Sequence, residues 1–160
     1  MIHEAAVTKS SLFSRHDFLI AAIPIGIGSS IYLLFRARNI WVFELAEAAG
    51  FGSTVGFARR LVRPLNPYVS GFTLYSLPTA LWAFSFIFCV VTIWRVQLKS
   101  FGAIFVILLT VSVVLGAELA QAIGLLSGRF DNSDLFANVV GLIFGGTVAY
   151  AKGCIRQHQI

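Results

Sequence analysis

Long apolar runs separated by short polar segments dominate this sequence. Four of them, at residues 18–35, 75–94, 101–126 and 135–151, contain at most one charged residue each. A helix needs about 20 residues to cross a bilayer, so each run is close to the required length. The pattern predicts an all-α membrane protein in which residues 1–160 form a single membrane domain built as a bundle of four transmembrane helices.

Small residues in two of these runs predict where helices pack closely. Gly26 and Gly28 lie in the first run, and Gly141 and Gly145 form a G-x-x-x-G pattern in the fourth. Glycines at this spacing let the backbone of a neighbouring helix approach. The contact at Gly141 and Gly145 is predicted either within the chain or between copies in a homo-oligomer. The stretches 1–17 and 152–160 are polar and are predicted to be the N-terminal and C-terminal tails of the bundle, on the same side of the membrane.

Residues 36–74, between the first and second runs, allow two interpretations. Residues 40–57 are moderately apolar, but Glu44 and Glu47 are three positions apart and therefore share one face of a helix. A further crossing would bury both carboxylates, which is costly in a membrane. We therefore predict an interfacial or re-entrant helix here, with its charged side chains facing water or headgroups.

Composition supports a membrane protein and excludes several other classes. The chain is 58% hydrophobic and 12% charged, with a mean hydropathy of +0.84, whereas soluble domains carry roughly 25% charged residues. The formal net charge is +5, but the basic residues lie at the ends of apolar runs rather than on one basic face. This arrangement predicts the lipid bilayer as partner, and not nucleic acid. Cys89 and Cys154 are isolated, which predicts neither a zinc site nor a disulfide framework.

The polar residues of the apolar region concentrate between positions 118 and 146. Glu118 and Gln121 share a face near the end of the third helix, and Asp134 and Asn138 share a face at the start of the fourth. A short loop joins the two helices and carries two further charged residues. We expect this hairpin to gather six side chains near one membrane surface, and these form the candidate ligand-binding pocket: Glu118, Gln121, Arg129, Asp131, Asp134 and Asn138.

Several kinds of chemistry are open to such a pocket. If a metal binds, its oxygen ligands would be Glu118, Asp131 and Asp134. Arg129 could hold a phosphate or carboxylate through paired hydrogen bonds, and a carboxylate in a low-dielectric site can accept a proton. The sequence contains no H-E-x-x-H, G-x-S-x-G or P-loop pattern, so we assign no catalytic residue and expect no cofactor. A non-enzymatic role is the favoured interpretation.

A purely structural role for the same residues is the alternative. Asp134 could simply cap the fourth helix, and a Glu118–Arg129 ion pair could tie the hairpin together. The amides of Gln121 and Asn138 fit this interpretation less well, because inward-facing amides in a membrane protein must find hydrogen-bond partners. We therefore favour a functional pocket.

The hairpin motif resembles that of the VanZ-like family of bacterial integral membrane proteins. The shared pattern is E-x-x-Q, a loop with an arginine, then D-x-x-D-x-x-x-N-x-x-G, and the matching positions are Glu118, Gln121, Arg129, Asp131, Asp134, Asn138 and Gly141. Arg129 is displaced by about one residue from the usual spacing. The segment Ser76-Leu77-Pro78, followed by Leu81-Trp82, looks like a variant found in part of that family, in which many members carry a lysine or histidine instead. The resemblance implies a multi-pass protein of the bacterial plasma membrane and a link to glycopeptide (teicoplanin-type) resistance.

Three functions from different classes remain. The favoured one is an envelope protein whose pocket binds an anionic lipid headgroup, a lipid-linked cell-wall precursor or a drug-like ligand. The second is a metal-dependent intramembrane enzyme acting on a lipid-linked phosphate. The third is a small transporter or ion pathway that uses Glu118, although the sequence lacks the internal repeat that is common in transporters.

Overall fold

A computed structural model describes residues 13–36, 41–126 and 130–157, which are helical and contain no strand. Four helices are long and apolar enough to cross a membrane, which confirms the predicted all-helical class and the number of long apolar helices. Two short helices and two 3₁₀ turns, at Arg63–Tyr68 and Arg95–Gln97, complete the described chain. The helices are α1 (Arg15–Phe35), α2 (Trp41–Ala48), α3 (Gly52–Val62), α4 (Gly71–Trp94), α5 (Phe101–Ala122) and α6 (Asn132–Gln157).

Serine caps start three of the long helices. Ser14, Ser70 and Ser100 each accept a hydrogen bond from a backbone N–H three residues further on, which satisfies one of the free amides of a helix start. As a result α1 begins three residues before the predicted position 18, and α4 begins four residues before the predicted position 75. Hydropathy alone missed these starts, because the added first turns are polar or mixed.

The end of α5 corrects the predicted boundary at residue 126. The helix stops at Ala122, and Gly124 adopts a φ of +72°. The amide of Leu125 donates to the carbonyl of Ala120 at 2.8 Å, and that of Gly124 donates to the carbonyl of Gln121 at 3.1 Å. This pair of bonds is the Schellman motif, for which glycine is favoured at the left-handed position. The apolar residues that follow therefore belong to the connection between α5 and α6.

Both ends of α6 extend beyond the predicted range 135–151. The helix begins at Asn132 because Oδ1 of Asp131 accepts a hydrogen bond from the amide of Ser133 at 2.8 Å. It continues past Lys152 to Gln157. Lys152, predicted to be the first residue of the C-terminal tail, lies within the helix, and its side chain pairs with Asp17 of α1.

The segment between the first and second long helices contains two short helices rather than one. The lengths of α2 and α3, 8 and 11 residues, fall well below the roughly 20 that a crossing needs. Gly50, with a φ of 80°, makes the turn between them. Glu44 and Glu47 are not covered by protein, and neither short helix has the length to carry them across a membrane.

Helix α4 is at the centre of the bundle. Half of its most apolar 18-residue stretch is buried, against 11% for the corresponding stretches of α1 and α5. Helix α6 runs parallel to α4 and packs most extensively on it, α1 packs antiparallel on another side, and α5 makes a smaller contact. The buried side chain of Phe88 lies within this core.

Glycines of α6 and α1 set these close contacts. A Cβ atom at Gly141 would meet the carbonyl oxygen of Ala80, and one at Gly145 would meet that of Phe84. Gly28 lies against Trp82 in the same way, whereas Gly26 has nothing within 4 Å. The G-x-x-x-G face is therefore occupied by α4 of the same chain, and a homo-oligomeric contact through these glycines would have to displace α4.

Candidate functional site

The candidate site is built around a hydrogen bond between α4 and α6. The Oγ of Ser76 donates to Oδ1 of Asp134 at 2.5 Å. Ser76 is buried and Asp134 is half-buried in the first turn of α6. Since Gly141 lets α6 approach α4 two turns further along, the close packing of the two helices brings this serine and this carboxylate together.

The cap of α6 is Asp131, and not Asp134 as the structural alternative supposed. The backbone carbonyl of Asp131 accepts from the amide of Asp134 at 3.1 Å, while its side chain accepts from Ser133. Asp131 is exposed. Because Asp131 carries out the capping, the carboxylate of Asp134 is available for a contact with another helix.

Glu118 brings a buried acidic side chain to the same end of the bundle. It is 8% exposed, and its Oε2 has no hydrogen-bond partner in the described part of the chain. The carboxyl groups of Asp134 and Asp131 are close enough to interact with it electrostatically. A buried carboxylate with an unsatisfied oxygen is costly, so Glu118 is the strongest candidate for a ligand contact.

Asn138 contributes a second unsatisfied acceptor. It lies one turn beyond Asp134 on the same face of α6, and it is 3% exposed. Its Oδ1 lacks a hydrogen-bond partner among the described residues. Glu118 and Asn138 thus supply two buried oxygen acceptors, one from each helix of the predicted hairpin.

Two members of the predicted pocket are not joined to this group by a described contact. The side chain of Gln121 is half-buried and makes no hydrogen bond within the described ranges. Arg129 lies outside the described residues, and the Glu118–Arg129 ion pair of the structural alternative therefore stays a prediction.

The metal alternative finds no support in the geometry. Within residues 13–36, 41–126 and 130–157, no group of three or more His, Cys, Asp or Glu side chains is arranged to hold a metal ion. Glu118, Asp131 and Asp134 therefore do not form such a group. The reason is local: Asp131 caps α6 at the surface, and Asp134 accepts from Ser76.

Two polar groups of α4 were missed from the sequence: Ser76 belongs to the pocket, whereas Trp82 lies against α1. Ser76 was noted only as part of the family resemblance, yet it is the partner of Asp134. Trp82 has a buried indole N–H with no hydrogen-bond partner in the described structure, and its ring lies 5.6 Å from that of Tyr32. No distinct signal in the sequence marked Ser76, because α4 contains four other serine and threonine hydroxyls.

Comparisons of the chain with protein-family models, curated proteins and solved structures find no match. The VanZ-like resemblance consequently rests on the motif residues alone. The site must be interpreted from its own chemistry.

The buried polar atoms of this site without a partner among the described residues are hydrogen-bond acceptors. The group combines carboxylates, an amide oxygen and a serine hydroxyl whose hydrogen is already donated. Ser76 is buried and engaged with Asp134, so we assign it a positioning role rather than a nucleophilic one. The arrangement suits a ligand that donates hydrogen bonds, such as a hydroxyl or an amine.

Proposed function

We propose that this chain is a VanZ-like, multi-pass protein of the bacterial plasma membrane. In this proposal it binds a hydroxyl- or amine-bearing headgroup of an envelope lipid or lipid-linked precursor between α5 and α6. One observation carries the proposal: Glu118 Oε2 and Asn138 Oδ1 are buried acceptors without a hydrogen-bond partner among the described residues.

The surface of the bundle supports a lipid environment. Large apolar side chains cover the outer faces of the long helices, and Leu108, Val113 and Ile143 are each more than half exposed. Contiguous apolar surface of this extent is disfavoured in water and is expected where a protein contacts lipid. Together with four helices of sufficient length, this favours a multi-pass topology.

The position of the pocket supports a headgroup rather than an acyl chain as ligand. Glu118 lies in the last turns of α5, and Asp134 lies in the first turn of α6. Both positions are near the ends of helices that are about as long as a bilayer is thick. The acceptors therefore lie close to one membrane surface, where headgroups with hydroxyl and amine groups are found.

Binding would supply donors to acceptors that have none among the described residues. A buried acceptor left without a donor costs about 1–3 kcal/mol, and a donor from a ligand restores the lost bond. An amine would also pair with the carboxylate of Glu118 through a charge-assisted bond, which is stronger than a neutral one. The proposal thus favours ligands that carry an ammonium or several hydroxyls over those that carry acceptors alone.

The test combines a binding measurement with a cell phenotype. Glu118→Gln, Asp134→Asn and Asn138→Ala would each be purified in mild detergent, and the lipids that co-purify would be identified by mass spectrometry. Gln97→Ala is the matched control, since Gln97 is an exposed amide at the other end of α4. We expect a lipid class that is retained by the wild type and the control to be lost from the site variants.

The same variants would be expressed in bacteria and assayed for teicoplanin susceptibility and envelope integrity. If all three leave both phenotypes and the lipid content unchanged at normal protein levels, the proposal fails. If the purified protein hydrolyses a lipid-linked phosphate and a metal chelator abolishes this activity, the metal-dependent enzyme is favoured instead. Proton or solute flux in liposomes would favour the ion pathway.

A further inference from the structure

A second site lies on the same side of the bundle and uses none of the pocket residues. A cavity of about 420 Å³ opens where α3 meets the end of α1. We propose that it binds a phosphate group, a function that goes beyond the one proposed above. The cavity is lined by Leu34, Gly56, Arg59, Arg60, Arg63 and Asn66.

Arg59 fixes the shape of this cavity. Its Nη1 donates to the carbonyl of Leu33 at 2.9 Å, and its Nη2 donates to the carbonyl of Arg36 at 2.6 Å. Its guanidinium also lies 4.9 Å from the ring centre of Phe43. These contacts attach α3 to the last turn of α1 and hold a positive charge at the cavity wall.

Arg60 and Arg63 supply the donors for a ligand. Both are exposed, and neither makes a hydrogen bond or ion pair with any residue in the described ranges. They are three positions apart across the junction of α3 with the following 3₁₀ turn, so they lie on neighbouring positions of one face. A guanidinium presents paired N–H donors that match phosphate geometry, and Asn66 can add a further donor.

The electrostatics of the cavity favour an anion. None of the lining residues is acidic, and the carboxylates of the adjacent α2, Glu44 and Glu47, are exposed. Three guanidinium groups around one cavity repel each other. An anion placed between them would remove that repulsion, which makes a phosphate a better ligand than a neutral or cationic group.

Apolar side chains on the same segment place the arginines at headgroup depth. Phe57, Leu61 and Leu65 are each more than half exposed, and they follow one another at intervals of four residues. A short helix with such a stripe lies in the membrane interface with its basic residues among the headgroups. The phosphate group is therefore expected to belong to an anionic lipid headgroup, although free phosphate presents the same chemistry.

The test measures binding to the full-length protein in detergent. Short-chain phosphatidylglycerol, short-chain phosphatidylcholine and inorganic phosphate are each titrated, with the thermal unfolding temperature and native mass spectrometry as readouts. The variant is Arg60→Gln with Arg63→Gln. The matched control is Arg15→Gln with Lys99→Gln, which removes two exposed positive charges from the other end of the bundle.

We expect phosphatidylglycerol to bind the wild type and the control equally, and to bind the arginine variant at least about tenfold more weakly. If phosphatidylcholine binds the wild type more weakly than phosphatidylglycerol does, the site prefers a headgroup with net negative charge. Inorganic phosphate that binds with the same dependence on the arginines supports the site and assigns it to free phosphate. Equal phosphatidylglycerol binding by the arginine variant, or equal losses in both double variants, overturns the proposal.

Discussion

Lys152 Nζ donates to Oδ1 of Asp17 at 2.6 Å, which joins the last turns of α6 to the first turn of α1. Asp17 is 1% exposed and Lys152 is 30% exposed. Asp17 also completes the capping box of α1, since its Oδ2 accepts from the backbone amide of Ser14 at 2.9 Å. One carboxylate thus caps the start of α1 and connects it to α6 through a residue 135 positions away in the chain.

Removing the lysine is expected to cost more than removing the negative charge. Lys152→Met removes the ammonium group that donates to the buried carboxylate of Asp17, and we expect a loss of about 3–5 kcal/mol in unfolding free energy. Asp17→Asn leaves a lysine that can extend towards water, and asparagine can still accept from Ser14. Denaturant unfolding in detergent micelles measures both values.

The double variant supplies the control for this pair. Asp17→Asn combined with Lys152→Met should recover part of the loss of the lysine variant, because the negative charge that Lys152 contacts is then absent as well. Lys99→Met removes an exposed lysine from the same side of the bundle and should change the unfolding free energy by less than about 0.5 kcal/mol. Strictly additive losses would contradict a direct interaction.

The sequence predicted the long helices well because each is a long apolar run that only a helix can form in lipid. It placed Asp17 in a tail, since nothing local shows that its partner is 135 residues away. Helix ends were predicted less well. The caps at Ser14, Ser70 and Ser100 and the left-handed turn at Gly124 depend on backbone hydrogen bonds, which hydropathy does not record.

The candidate site was predicted in part for a similar reason. Helical spacing placed Asp134 and Asn138 on one face, and that face does point into the bundle. Which aspartate caps α6 could not be read from the sequence, because Asp131 and Asp134 are equally suitable residue types. Ser76 becomes part of the site only through the packing of α4 on α6, a relationship between distant segments.

A methyl group at Gly145 should disrupt the α4–α6 contact. The Cβ of Gly145→Ala would meet the carbonyl oxygen of Phe84 and the side chain of Ile87, and overpacking of this kind costs about 1–3 kcal/mol. Gly26→Ala is the matched control in another long helix, where nothing lies within 4 Å. Thermal unfolding in detergent should show a lower midpoint for the first variant only, and equal midpoints would contradict the proposed packing.

Arg59 should stabilise α3 locally rather than the whole bundle. Arg59→Gln removes two charge-assisted bonds to the end of α1, and we expect a loss of about 1–3 kcal/mol in the local stability of α3. Hydrogen exchange measured by mass spectrometry should show faster exchange in Gly52–Val62 and unchanged exchange in α4. Arg59→Lys should restore little, because an ammonium does not present two planar donors. Faster exchange throughout the bundle would show a global role instead.

Ser76→Ala should destabilise the α4–α6 contact, and Ser85→Ala in the same helix is the matched control. The change removes the hydroxyl that donates to Asp134, so a half-buried carboxylate loses its described donor at a cost of about 1–3 kcal/mol. Ser85 is also buried in α4, but its hydroxyl donates to the carbonyl of Leu81 in the same helix at 3.0 Å. Ser85→Ala should therefore be close to neutral.

A double-mutant cycle separates the Ser76–Asp134 bond from the general effects of either change. If the bond carries the loss, Ser76→Ala should cost little once Asp134→Ala has removed the acceptor, and the coupling energy should be about 1 kcal/mol or more. Denaturant unfolding in micelles gives the four free energies. A coupling energy near zero would mean that Ser76 acts only through packing within α4. The carboxylate of Asp134 would then be positioned by its own helix, and the site would not depend on α4 for its geometry.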